Sequence, residues 1–182
     1  MRDPAERLYS IYKFAVYSRG EHLSFENFIS NHQGLTGCKY YTIINRFLKY
    51  FSKKNMFFLI FEKFIKNPYK YLKETCEFLD INSKFKFDPN KIYQNSSKMP
   101  MSLSLQQKNK KYFAPDRRHR EHLLKQSVKF GIYEFITLLN CFSKSRKFPD
   151  MKENTRIYLK KNFKEEVSNL EKLIEIELDE WK

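Results

Sequence analysis

The chain has 182 residues, of which 41% are hydrophobic and 31% charged, and a formal net charge of +14. That length suits one domain, and an aromatic content of 17%, with 18 Phe and 12 Tyr, gives enough bulky apolar material to exclude a wholly disordered chain. The positive charge draws polyanions such as nucleic acid, acidic glycans or a phosphorylated cofactor. Lysine, however, is spread over most of the chain beside abundant Asn, Ile, Phe and Tyr, a bias that an AT-rich coding sequence produces without any partner.

Cys38, Cys76 and Cys141 are widely spaced and odd in number. They read as reduced thiols, so the expected compartment is the cytoplasm rather than an oxidising one. His22, His32, His119 and His122 form no metal-ligand pattern with them. The N-terminus is charged from residue 2 without an apolar signal region, and the longest apolar run, 57–61, is too short to span a bilayer.

The first stretch predicts a helix. Asp3 can cap it, Pro4 suits its first position, and Glu6 can reach back to the Asp3 amide to close a capping box. Leu8, Tyr12, Ala15 and Val16 then form an apolar stripe. Arg2 just before the cap and Ser10 two turns inside suit an anion. The guanidinium gives paired donors, the hydroxyl a third, and the helix pole partial positive charge.

Ser24 can cap a helix through Asn31, and 32–37 reads as a loop. From Cys38 to Lys53, Tyr41, Ile44, Phe47, Leu48 and Phe51 recur at helical spacing. Residues 56–61 form a short continuous apolar run, predicting a buried central strand that ends at Glu62. Glu62 reads equally as a structural acid and as an exposed strand end. Asn67-Pro68 restarts a helix that ends near Asp80. Residues 82–116 lack apolar periodicity and predict an irregular loop, a candidate lid carrying Lys98, Lys108, Lys110 and Lys111. Helices are expected over 116–129 and 132–141, with a basic cluster at Arg117, Arg118, His119 and Arg120. Asp150 and Glu153 suggest a second capping box opening a long final helix, and Trp181 reads as an anchor for the C-terminus.

Three of these segments resemble the sulfotransferases that use 3′-phosphoadenosine 5′-phosphosulfate. Arg2-Asp3-Pro4 with Glu6, Arg7, Tyr9 and Ser10 is similar to their 3′-phosphate-binding segment, in which an Arg and a Ser eight residues apart hold that phosphate. Phe61-Glu62, Asn67-Pro68 and Phe78-Leu79-Asp80-Ile81 stand where the family has Tyr-Glu, Asp-Pro and Phe-Leu-Gly-Leu. Met151, Thr155, Arg156, Leu159, Phe163, Leu170, Glu171, Leu173, Ile174, Leu178 and Trp181 fall in register with the tail of many bacterial members.

The resemblance implies a C-terminal part of an α/β P-loop-like fold, here mainly α with one short central strand, and a single partial domain over 1–182. It implies Arg2 and Ser10 as nucleotide-binding residues. The expected reaction is transfer of a sulfuryl group to a hydroxyl or amine, with an acidic or neutral saccharide as acceptor and no metal. The family's Lys-x-Gly-Thr loop, which grips the 5′-phosphosulfate, has no counterpart in a chain with only 4 glycines. The expectation is therefore an N-terminally truncated chain, inactive alone, with no catalytic residue assigned. Two other readings stand beside it: a basic helical module binding nucleic acid or another polyanion, and a non-catalytic remnant. The lack of an aromatic-interleaved basic platform argues against nucleic acid.

Overall fold

The computed structural model describes residues 1–19, 21, 23–31, 34–84, 99–113, 123–141 and 148–181. The described residues are mainly helical: α1 (Pro4–Arg19), α2 (Phe25–Asn31), α3 (Gly34–Gly37), α4 (Tyr40–Leu48), α5 (Phe61–Lys66), α6 (Pro68–Phe78), α7 (Leu103–Phe113), α8 (Leu123–Cys141) and α9 (Glu153–Ile174). Short 3₁₀ turns lie at Lys53–Asn55 and Asp179–Trp181. The chain divides into two compact units. One comprises Met1–Leu8, Asn31–Asn95 and Met151–Lys182, and the other Tyr9–Ser30 and Ser96–Asp150.

The first unit is built on α9. Its Leu159, Phe163, Val167, Leu170 and Ile174 recur at three and four and are all buried, the helical stripe expected from the sequence. Against it packs α4, through buried Tyr40 and Ile44. Glu166 of α9 fixes the register by accepting both the Thr42 amide, at 3.2 Å, and the Thr42 hydroxyl. Glu175, at φ 59°, closes α9 in a left-handed cap. Leu178 and Trp181 then fold back into the core. The helix α6 opens on Asn67, whose side chain accepts from the Lys70 amide at 3.2 Å, with Pro68 at its first position. It closes with Asp80 at φ 53° and the Ile81 amide donating 2.9 Å to the Cys76 carbonyl, a Schellman arrangement.

The predicted strand over 56–61 is corrected. No strand forms among the described residues, and Phe61 opens α5 instead of ending a strand. The backbone is nevertheless extended at Met56 (φ −121°, ψ 129°) and at Ile60 (φ −94°, ψ 120°). An apolar run makes a strand only when a neighbour takes its amides and carbonyls. Here Met1 takes the Leu59 carbonyl and the Phe61 amide, while the Met56 amide and the Ile60 carbonyl go to Lys53 and Phe64 in local turns. Other boundaries shift as well. The helix expected over 38–53 is confined to Tyr40–Leu48, and Gly34–Gly37 within the expected loop is a helical turn. The Asp150–Glu153 box does not form: Lys152 occupies the cap position of α9, with no capping hydrogen bond from its side chain.

In the second unit, Tyr9 and Tyr12 of α1 pack on Phe25 at ring distances of 4.9 and 5.3 Å, and Tyr12 on Phe28 at 5.4 Å. Ser24 caps α2 by accepting the Asn27 amide at 3.2 Å. Residues 82–116 are corrected in part, because 103–113 form α7. Lys108, Lys110 and Lys111 ride on that helix, whereas Lys98, with the rest of 85–98 and 114–116 of the candidate lid, and the cluster Arg117–Arg120 lie outside the described residues. This helix escaped the periodicity because its buried face is polar. Gln106 and Asn109 are buried, while Leu105 and Tyr112 are exposed.

The antiparallel pair α7–α8 is held by an amide ladder. Asn140 Nδ2 donates to Ser102 O at 2.9 Å and Gln106 Oε1 at 3.1 Å, and its Oδ1 accepts the Ser102 amide at 2.9 Å. Asn109 Nδ2 donates to Tyr133 O at 2.9 Å and Thr137 Oγ1 at 3.1 Å. Gln106 Nε2 reaches Tyr17 O at 2.7 Å, joining α1 to the pair. The helices expected over 116–129 and 132–141 are one element across 123–141.

Substituting Asn140→Ala strips the ladder of its central amide and leaves Gln106 and the Ser102 backbone short of partners. The cost should be about 2–4 kcal/mol, read as a lower midpoint in urea unfolding. Gly131 lies inside α8 with no atom within 4 Å of an added Cβ. Gly131→Ala should stabilise by about 1 kcal/mol, raising the melting temperature by roughly 2–4 °C.

Candidate functional site

The start of α1 is held by contacts from remote segments. Asp3 caps it, its Oδ1 accepting the Ala5 amide at 2.8 Å and the Glu6 amide at 3.5 Å. The Asp3 amide donates to Glu62 Oε1 at 2.9 Å, while Glu62 Oε2 accepts the Trp181 indole N–H at 3.0 Å. Glu62 therefore does what the sequence assigned to Glu6: it satisfies the cap's own amide, but from 59 residues away. Glu6 turns outward to Arg156, at 2.5 Å, and to Arg2, at 3.6 Å.

Tyr40 holds the peptide of Arg2 on both sides. Its hydroxyl accepts the Arg2 amide at 3.2 Å and donates to the Arg2 carbonyl at 2.9 Å. The Tyr40 ring lies under the Arg7 guanidinium, 5.2 Å from its centroid, and packs on Trp181 at 5.8 Å. Burial pushes the Tyr40 phenol above its ordinary pKa, against the opposing pull of Arg7. Nothing in the spacing of the sequence marks Tyr40, because its role depends on a fold contact 38 residues away.

Arg2 has a fixed backbone and a partly open head. Its side chain is 31% exposed, and the guanidinium stacks 5.1 Å over the Phe61 ring. Ser10 lies in the second unit as a half-buried residue of α1, one helical repeat of four beyond Glu6. The helix pole offers an anion no free amide among its first residues. The Asp3, Ala5 and Glu6 amides are already taken, and Pro4 has none to give. An anion here has to be met by side chains rather than by the open amides of a helix N-terminus.

Burial pushes the Cys38 thiol up to about 11, against the opposing pull of Arg7. A thiol held protonated in this way is a packing group and a poor nucleophile. Asp3 is also raised by burial, its two amide bonds pulling the other way. Among the described residues no group of His, Cys, Asp and Glu could hold a metal ion, and no helix is long and apolar enough to cross a membrane.

The crystal structure of a sulfotransferase from Alicyclobacillus acidocaldarius is similar in fold, with a TM-score of 0.60 at 19% identity, covering 100% of this chain and 55% of that one. The chain thus spans about half the length of that neighbour. A comparison with curated proteins found no match. Residues 1–134 match the sulfotransferase domain, a span that includes Arg2, Ser10, Tyr40 and Glu62. The chain belongs to the sulfotransferase domain family.

Proposed function

We propose that the chain binds the nucleotide sulfate donor 3′-phosphoadenosine 5′-phosphosulfate, Arg2 and Ser10 holding its 3′-phosphate. The observation that carries this reading is the arrangement around Arg2, whose peptide is clamped by Tyr40 while its side chain stays partly exposed. A fixed backbone lowers the conformational entropy lost when a long side chain settles on a ligand. Glu6 competes for the guanidinium but keeps Arg156 when Arg2 turns away, so the exchange leaves no carboxylate orphaned. A guanidinium fork and a hydroxyl suit phosphate oxygens by charge and direction.

The reaction proposed is sulfuryl transfer to a hydroxyl or amine, with a saccharide as the acceptor class. When bound, the donor supplies the activated sulfate and a nucleotide leaving group. Charge grows on the transferring group and the departing phosphate, and rate acceleration requires donors aimed there. Arg2 and Ser10 hold a phosphate distant from that bond. They position the donor, and binding that is equal in ground and transition states leaves the chemical barrier unchanged. The 182 residues contain 4 glycines and no Lys-x-Gly-Thr segment. In this proposal the grip on the 5′-phosphosulfate comes from outside them, and the chain alone binds nucleotide without turnover.

Adenosine 3′,5′-bisphosphate should raise the melting temperature, and adenosine 5′-monophosphate, which lacks the 3′-phosphate, should not. Arg2→Ala should weaken bisphosphate binding by about 10–100-fold in calorimetry, with a smaller loss for Ser10→Ala. Equal shifts with the two nucleotides would reject the reading, and steep salt-dependent binding of random DNA would favour the polyanion-binding one. Tyr40→Phe removes the hydroxyl that fixes Arg2. It should cost about 1–2 kcal/mol of stability and also weaken bisphosphate binding, a coupling that titrations of the folded variant would reveal.

A further inference from the structure

The pair α7–α8 is built with its polar side inward. Gln106, Asn109, Thr137 and Asn140 are at most 4% exposed and fill the contact between the helices with hydrogen bonds. The apolar residues of α8 lie elsewhere. Ile132, Phe135 and Leu139 recur at three and four with Leu138 beside them, and at 3.6 residues per turn all four fall on the half of α8 away from Thr137 and Asn140. They are 38–61% exposed. A helix normally buries such a stripe, and here amides occupy the place where it would go.

The charge on the two helices has nearly one sign. Helix α7 carries Lys108, Lys110 and Lys111, all exposed, and no acid, while α8 carries a single acid, Glu134. The Lys111 nitrogen lies 5.5 Å from the ring centre of Tyr112, itself 59% exposed. An ammonium beside an aromatic ring suits the depth at which lipid headgroups meet acyl chains. A second copy of the chain would set +14 against +14, which opposes self-association through this stripe. A negatively charged bilayer offers acyl chains to the stripe and headgroup charge to the lysines. The amides on its other face keep α8 lying along such a surface rather than crossing it.

We infer that the stripe Ile132, Phe135, Leu138 and Leu139, together with the lysines of α7, docks the protein on an anionic lipid bilayer. The apolar side chains enter the outer acyl region, and the lysines meet the headgroup anions. The amide ladder fixes the register of α7 against α8, so stripe and lysines are presented together and little conformational entropy is lost on docking. The surface uses neither Arg2 nor Ser10, and the inference stands whether or not the nucleotide reading does.

Vesicle sedimentation of the full chain tests it. The protein should pellet with vesicles of phosphatidylcholine mixed with phosphatidylserine and stay in solution with phosphatidylcholine alone, and added salt should weaken the partition. Phe135→Ser with Leu139→Ser should weaken it by about tenfold or more, since two apolar side chains no longer enter the bilayer. Lys108→Gln with Lys111→Gln, which leaves the stripe intact, should also weaken it by about tenfold. Tyr158→Ser, at a comparably exposed residue of α9, should leave it unchanged. Equal pelleting of the unaltered chain and the serine pair would overturn the inference, because charge alone would then account for adsorption. Equal pelleting on the two vesicle types, or none on either, would overturn it too. So would a dimer in analytical ultracentrifugation that the serine pair dissolves and that does not pellet with vesicles, which would give the stripe to a second copy.

Discussion

A single carboxylate, Glu62, holds together the part of the molecule on which the functional reading depends. One of its oxygens accepts the amide of Asp3 and the other the indole of Trp181, so the beginning of α1, the start of α5 and the end of the chain meet at one group. Both bonds go to a charged acceptor, the stronger class of protein hydrogen bond. Removing the carboxylate would orphan a buried indole donor and the amide of a helix cap together. Tyr40 completes the arrangement from α4, fixing the Arg2 peptide through both its polar groups. The helix start is thereby set by tertiary contacts rather than by its own capping box.

Sequence signals were informative where a local rule and the tertiary fold agreed. Asp3-Pro4 and Asn67-Pro68 both start helices because a capping side chain and a proline act within one turn. The stripe on α9 was legible because its buried positions are apolar almost throughout, with Thr155 buried before them. Helix α7 was not, because hydrogen bonding instead of apolar area fills its interface, and Gln106 and Asn109 look like surface residues in a hydropathy pattern. The same gap explains the capping of α1. Glu6 had the right spacing to reach the Asp3 amide, but Glu62 takes that place and leaves Glu6 to the arginines. Spacing measures reach along the chain and says nothing of competitors that arrive through folding.

The apolar run at 56–60 shows a different limit. Its composition identified an extended segment, and the backbone angles at both ends are extended. Whether such a segment counts as a strand depends on a partner, which is a property of two segments and cannot be read from one. The family assignment and the local geometry also inform separate questions. The match over residues 1–134 places the chain among sulfotransferase domains, while the occupied amides at the start of α1 restrict how an anion could be held there.

The ladder between α7 and α8 carries a consequence for temperature. Apolar interfaces contribute most of the heat-capacity increment of unfolding, and buried amides contribute with the opposite sign. A helix pair joined through Asn140, Gln106, Asn109 and Thr137 should therefore have a flatter stability curve than a leucine-packed pair of equal area. It also admits one alignment only, since sliding either helix by a turn would strand every amide at once. Greasy surfaces can slip and still be covered, whereas this pair either engages in its native register or loses its adhesion altogether.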